Sequence, residues 1–332
     1  MRLAHGMIAA PLVAALAACG GVAGGVTGDS AAARRPVSGD PRTAAAPSSP
    51  TPGAPPAAST ASEGAGASEG AAAAGAPGDA PAPDARIPTD PARLAAALHE
   101  TTTALGRAVD AWRASSAEQP PQQVVLLALH HQRVYRAMAR DAMLAQRTIK
   151  KLPAATAAQA RDNVTAVGKL LSMARPITAA QRKRMRLAEP LPAERLRGYM
   201  TRAEKRFGVE WEVLAAIMLV ETKFGRVRSA SSSGAQGPMQ FMPGTWSAYG
   251  LGGNVHDARD AILAAANYLK ASGAPRDYRR AVFAYNHDTR YVDAVLAHAR
   301  AIRRDARVYY AYYNWQVFTL SAKGDVRMTG PR

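Results

Sequence analysis

Residues 214–225, LAAIMLVETKFG, carry the reading on which the fold turns. Leu214, Ile217, Met218 and Glu221 fall at i, i+3, i+4 and i+7, which is one face of an α-helix, so a carboxyl group shares a stripe with three large apolar side chains. Gly225 is a suitable helix stop, and it sets Glu221 in the last turn, at the negative end of the macrodipole. Apolar surroundings and the dipole both disfavour ionisation, which moves the pKa towards the range that a general acid needs. The same spacing also fits a plainer account, in which Glu221 is the first exposed residue where the helix leaves the core.

Two more marked segments follow, GAQGPMQFMPGTW at 234–246 and AYN at 284–286. In this order, ETKFG, GAQGPMQFMPGTW and AYN resemble the signature of the lysozyme-like lytic transglycosylases, which cleave bacterial peptidoglycan. The likeness covers about the last 140 residues. It implies an all-α, lysozyme-like catalytic domain over 191–332. Glu221 is then the catalytic residue, and Thr222, Met239, Gln240, Tyr285 and Asn286 contact substrate. Thr222 stands where the family more often has serine, and Gln236 where it more often has an apolar residue. Met239 and Gln240 match a pair that lines the cleft, Tyr285 matches a tyrosine whose hydroxyl approaches the catalytic carboxyl, and Asn286 matches its polar neighbour. Phe241, Pro243 and Trp246 read as packing residues.

Glycoside cleavage usually takes two carboxyl groups, and the sequence offers no second one of equal suitability. Asp257, Asp260, Asp277 and Asp288 each precede or open a helical pattern and are explained as helix caps. One acid suffices if the substrate's own acetamido oxygen attacks the anomeric carbon, as in substrate-assisted enzymes. The resemblance implies cleavage of the β-1,4 bond between N-acetylmuramic acid and N-acetylglucosamine, closing a 1,6-anhydro ring, with Glu221 as acid and then base and with no metal or organic cofactor. The competing readings are a lysozyme-type hydrolase on the same substrate and a non-catalytic wall-binding module.

The rest of the chain sets the context. Met1 to Ala18 has a basic start at Arg2 and an apolar run from Met7, the pattern of an export signal, too short for a membrane span of about 20 residues. Leu16-Ala17-Ala18-Cys19 resembles a bacterial lipobox, which implies lipidation of Cys19, anchoring to an envelope membrane and an extracytoplasmic location. An ordinary secretory signal is the alternative. Cys19 is the only cysteine, so an intramolecular disulfide is excluded. Residues 19–88 are dominated by Ala, Pro, Gly, Ser and Thr and read as a disordered tether, with an r.m.s. span of roughly 45 Å. Of 42 Lys and Arg and 25 Asp and Glu, 37 and 19 lie from Thr89 onward. Export argues against nucleic acid as the partner of that positive charge, and no nucleic-acid motif accompanies it. Peptidoglycan and anionic lipid fit better. The oligomeric state is open, with a monomer favoured.

From Thr89 the pattern is almost wholly helical, with a helical accessory segment over 89–190. Asp90 before Pro91 starts a helix to about Ser115, carrying Leu94, Leu98, Leu105, Val109 and Trp112 at helical spacing. A second helix is expected over Gln122–Lys150 and a third over Ala154–Met173. The His130–His131 pair reads as core-edge or surface histidine, since no second cluster makes it a metal site. Arg182-Lys183-Arg184 reads as a solvated linker face. Helices are expected from Ala193 to Phe207, from Asp257 to Ser272, after Asp277, and from Asp288 to Arg303. The aromatic tail from Val308 reads as a packing flap, with a small hairpin over 316–328.

Overall fold

Asp90 sets the start of the first helix in the computed structural model, which describes residues 80–331. Its carboxylate accepts from the amides of Ala92 (3.1 Å) and Arg93 (2.9 Å), two donors that no turn of helix can satisfy. Helix α1 (Pro91–Ala114) buries the expected stripe Leu94, Leu98, Leu105, Val109 and Trp112. The single helix expected over Gln122–Lys150 is instead two, α2 (Gln122–Met138) and α3 (Ala142–Ile149). Asp141 makes the break: in extended backbone it accepts from the Leu144 amide at 2.9 Å and starts a new helix. No Gly or Pro marks that break, which is why the periodicity runs through it. Helix α4 (Ala154–Met173) lies as expected.

The basic run after it is not a plain linker. It forms the end of α5 (Ala179–Arg184), which opens on a reciprocal capping box between Thr178 and Gln181 and sets three cations at the negative end of the helix. Helix α6 (Ala193–Phe207) stops at Gly208 (φ 70°), and α7 (Trp211–Thr222) follows. Then come α8 (Pro243–Tyr249), α9 (Ala258–Ala271) on its Asp257 cap, α10 (Tyr278–Tyr285) on Asp277, and α11 (Thr289–Arg304) on Asp288. The aromatic tail folds first as a further helix, α12 (Arg307–Tyr313). Strands β1 (Phe318–Ser321) and β2 (Gly324–Arg327) then pair antiparallel, Phe318 opposite Arg327 and Ser321 opposite Gly324. The described residues are thus all-α apart from this one hairpin.

Helix α7 is buried on every side. Val213 to Val220 are each no more than 1 % exposed, which is the pattern of a central helix rather than an amphipathic one. It packs against α6, α9, α11 and α12, and α11 in turn lies along α4. Residues 89–190 therefore share one hydrophobic core with the residues that follow them. Polar ties run the same way. The side chain of Gln132 both donates to the Gln316 carbonyl (2.9 Å) and accepts from its amide (2.8 Å), and the Tyr312 hydroxyl donates to Asn163 Oδ1 at 2.6 Å. Arg300 and Arg304 of α11 both pair with Asp162 of α4. The two histidines of α2 lie in this core. His130 shares a hydrogen bond with Thr101 (2.9 Å), and burial lowers the His131 pKa to about 3.

Candidate active site

The end of α7 puts a carboxyl group under the surface. Glu221 is only 5 % exposed, and loss of water around it pushes its pKa up to about 7. A hydrogen bond from Tyr291 and the nearby Lys223 pull in the opposite direction and are outweighed. The Tyr291 hydroxyl donates to Glu221 Oε1 at 2.7 Å. Beyond Thr222 the chain turns through three successive left-handed residues, Lys223 (φ 52°), Phe224 (φ 59°) and Gly225 (φ 85°). Only Gly225 takes that conformation without strain; the other two cost roughly 1–2 kcal/mol each. The amides of Lys223 and Phe224 hold the turn by donating back to Leu219 and Met218, both at 3.2 Å. The Phe224 ring also packs edge-on against Tyr309 at 5.5 Å.

The segment 234–241 forms a tight loop opposite that helix end. Gln236 and Phe241 exchange both backbone hydrogen bonds (2.9 and 2.8 Å), closing a turn of Gly237, Pro238, Met239 and Gln240. Gly237 sits at φ 73°, and a Cβ there would lie 1.9 Å from the Val255 carbonyl oxygen, so no larger residue fits. Three side chains fasten the turn. The Thr222 hydroxyl donates to the Pro238 carbonyl (2.6 Å) while accepting from the Gly225 amide (2.9 Å). Tyr285 donates to the Met239 carbonyl (2.7 Å), and the Gln240 amide reaches back to Gly237 (2.9 Å). Phe241 packs between Trp246 and Tyr285, the packing role expected of it.

The structure therefore brings together Glu221, Thr222, Met239, Gln240 and Tyr285, but with roles that differ from those the resemblance implied. The phenol that donates to the Glu221 carboxyl is Tyr291; Tyr285 lies near enough to feel that charge but gives its hydrogen bond to Met239. Tyr285 ends α10 and points to the turn, whereas Tyr291 lies in the first turn of α11, the helix packed on α7. Thr222 and Met239 are wholly buried, so neither side chain is open to a ligand, and each works through the turn instead. Asn286 is 5 % exposed and caps α10, its amide donating to Val282 (3.1 Å) and its carbonyl accepting from Asp288 (2.8 Å). Gln240 is 9 % exposed.

Lys223 is a second residue that the sequence reading passed over. It is 7 % exposed, and its Nζ donates to the Leu219 carbonyl at 2.8 Å. Burial lowers its pKa to about 7; Arg136 and Arg226 add to that effect, and Glu221 opposes it. The Asp residues at the helix starts are spent on backbone amides, as with Asp257 on Asp260 (3.0 Å) and Asp277 on Arg280 (2.9 Å). Among the described residues no group of three or more His, Cys, Asp or Glu is placed to hold a metal ion. Cys19 lies outside the described residues.

Two family models match the part of the chain that carries this site. Residues 198–306, from α6 to the end of α11, match a family model described as the transglycosylase SLT domain, and residues 132–232 match a second model of the same description. No curated protein and no solved structure matches the chain. The chain belongs to the lytic transglycosylase family, whose members are lyases that act on peptidoglycan.

Proposed function

We propose that Glu221 alone supplies acid and then base in a lytic transglycosylase reaction on the β-1,4 bond between N-acetylmuramic acid and N-acetylglucosamine. The observation that carries this reading is a single buried carboxyl group with a pKa near 7, held by one phenol. Protonated Glu221 gives its proton to the glycosidic oxygen as the bond from C1 to that oxygen breaks. The muramyl acetamido oxygen bonds C1 in place of the leaving sugar. Ionised Glu221 then takes the proton of the C6 hydroxyl, whose oxygen displaces the acetamido oxygen at C1. The product ends in a 1,6-anhydro ring and no water is consumed. Tyr291 steadies the ionised state between the two steps by donating to it. Thr222, Met239 and Tyr285 fix the 237–240 turn against the catalytic helix, which leaves Gln240 and Asn286 as the polar contacts for substrate.

Mass spectrometry of digested wall tests the outcome. Anhydro products are one water lighter than hydrolysis products and lack a reducing end, so reducing ends in the digest establish the hydrolase reading instead. Glu221→Gln should lower activity by about 10²–10⁴-fold, the usual worth of a general acid. An unchanged background rate in both proteins points to the wall-binding module.

The same reading places the enzyme outside the cytoplasm, anchored through lipid on Cys19. Metabolic labelling with a palmitate analogue should mark the wild type and not Cys19→Ser. Equal labelling of both proteins removes the anchor from the account.

A further inference from the structure

Four guanidinium groups gather around one pocket beside α2. Arg133 and Arg136 reach it from α2, Arg140 from the turn that follows α2, Arg327 from β2, and the segment 83–87 closes one side, around a volume of about 630 Å³. Asp325 accounts for two of the four. Arg136 grips its carboxylate through Nε (2.7 Å) and Nη2 (2.6 Å), and Arg140 adds a third bond at 2.6 Å.

Arg133 and Arg327 are held differently. Both donate through Nη1 to one neutral acceptor, the Pro83 carbonyl oxygen, at 3.1 and 3.0 Å. Arg133 also reaches the carbonyls of Ala85 (2.7 Å) and Asp84 (3.3 Å). Two cations converge on a carbonyl where like charges call for an anion; burial first, and then the charge of Arg327, loosen the hold of Arg133 on its proton, with Asp84 opposing. Among the described residues, Asp84 and Asp325 are the only carboxylates lining the pocket, against four guanidinium groups, so these walls carry two positive charges in excess.

We propose that this pocket binds a small phosphate-bearing ligand, with its phosphate seated between Arg133 and Arg327. A phosphate monoester is a dianion near neutral pH and cancels the excess. Its oxygens also suit the paired donors of a guanidinium fork better than a single carboxylate, which the pocket already contains. The volume is in the range of small-ligand sites and exceeds what bare phosphate fills, leaving room for a polyol or sugar attached to it. Such a group can come from a soluble sugar or glycerol phosphate or from the headgroup of a phosphatidic-acid-type lipid.

Calorimetric titration of the full chain tests this at about 0.15 M salt, where loose surface attraction is largely screened. Inorganic phosphate and glycerol 3-phosphate are the soluble probes; flotation with phosphatidylcholine vesicles, with and without phosphatidic acid, probes the lipid. One saturable site is expected, weakened roughly tenfold or more by Arg327→Gln and by Arg133→Gln and unchanged by Arg184→Gln on the exposed end of α5. Circular dichroism of each variant separates lost binding from lost fold, and Arg327, on a hairpin strand, is the less exposed to that risk. Binding of glycerol 3-phosphate identifies a soluble ligand. Binding only to phosphatidic acid vesicles, with the same two variants defective, identifies a lipid headgroup. No saturable binding of any probe, or equal weakening by Arg184→Gln, overturns the proposal.

Discussion

The role proposed for Glu221, to give a proton and then take one, is served best when the two states of the carboxyl are nearly balanced, and opposing forces bring it to that balance. Burial favours the neutral acid, while the Tyr291 hydroxyl and the Lys223 ammonium favour the carboxylate. On the proposed mechanism Glu221 is competent as the acid only when protonated, so kcat/KM should fall as pH rises through about 7. In Tyr291→Phe the bond that favours the carboxylate is gone, so the carboxyl holds its proton to higher pH and the descending limb should move upward. A pH–rate profile of the two proteins reads this directly; a lower rate with an unmoved limb makes Tyr291 a packing residue only. Glu221 was legible because a charge on an apolar stripe is conspicuous. Tyr291 was not, because with Val295, His298 and Ile302 it continues the buried face of α11, and a hydroxyl does not disturb an apolar pattern. Lys223 was hidden by the opposite effect, since a lysine just past a helix end is usually in water, whereas here the left-handed turn folds it inward.

At the scale of the element, the site depends on a turn of four residues held against the end of one helix. Thr222 makes the main tie, both accepting from Gly225 and donating to Pro238 with no exposure to water. Thr222→Val keeps the shape and leaves those two backbone groups unpaired, at a cost of about 1–3 kcal/mol. The melting temperature should drop by roughly 2–4 °C for each kcal/mol, and Thr222→Ser should recover most of it. If serine fails to rescue, the methyl group and not the hydroxyl is what the site needs. Gly237→Ala sets a Cβ against the Val255 carbonyl in a left-handed backbone, so the turn must open. The expected result is loss of lytic activity with the helical circular dichroism retained, because the helices do not rest on this turn. Motif spacing in the sequence located both segments. It did not show that Thr222 and Met239 face inward, since a motif fixes which residues meet and not which of their surfaces stay open.

The molecule as a whole joins the helices before residue 190 to those after it through shared core. Helix α11 is gripped on both sides, by α7, which carries Glu221, and by α4, which the sequence assigned to an accessory segment. Trp112 of α1 packs against Tyr310 (5.8 Å) and Tyr313 (6.2 Å) of α12, and Arg136 of α2 against the Phe318 ring (4.7 Å). The sequence showed most of the long helices by their own period, but the period of one helix does not say which other helix covers its face. That partner choice is set by long-range complementarity, such as Asp162 facing Arg300 and Arg304. Cooperative unfolding follows from this packing, because melting α1 to α4 strips apolar cover from α11 and α12 and leaves Asp162 and the Gln132–Gln316 pair without partners. Differential scanning calorimetry of the full chain should show one transition, with the calorimetric enthalpy equal to the van't Hoff value. Asp162→Ala should lower that single midpoint rather than split it, since removing the carboxylate leaves two partly exposed arginines that water can solvate. Two resolved transitions, with Glu221-dependent activity surviving the first, would mean that the early helices are a separable support and that the catalytic helices hold their packing without α4.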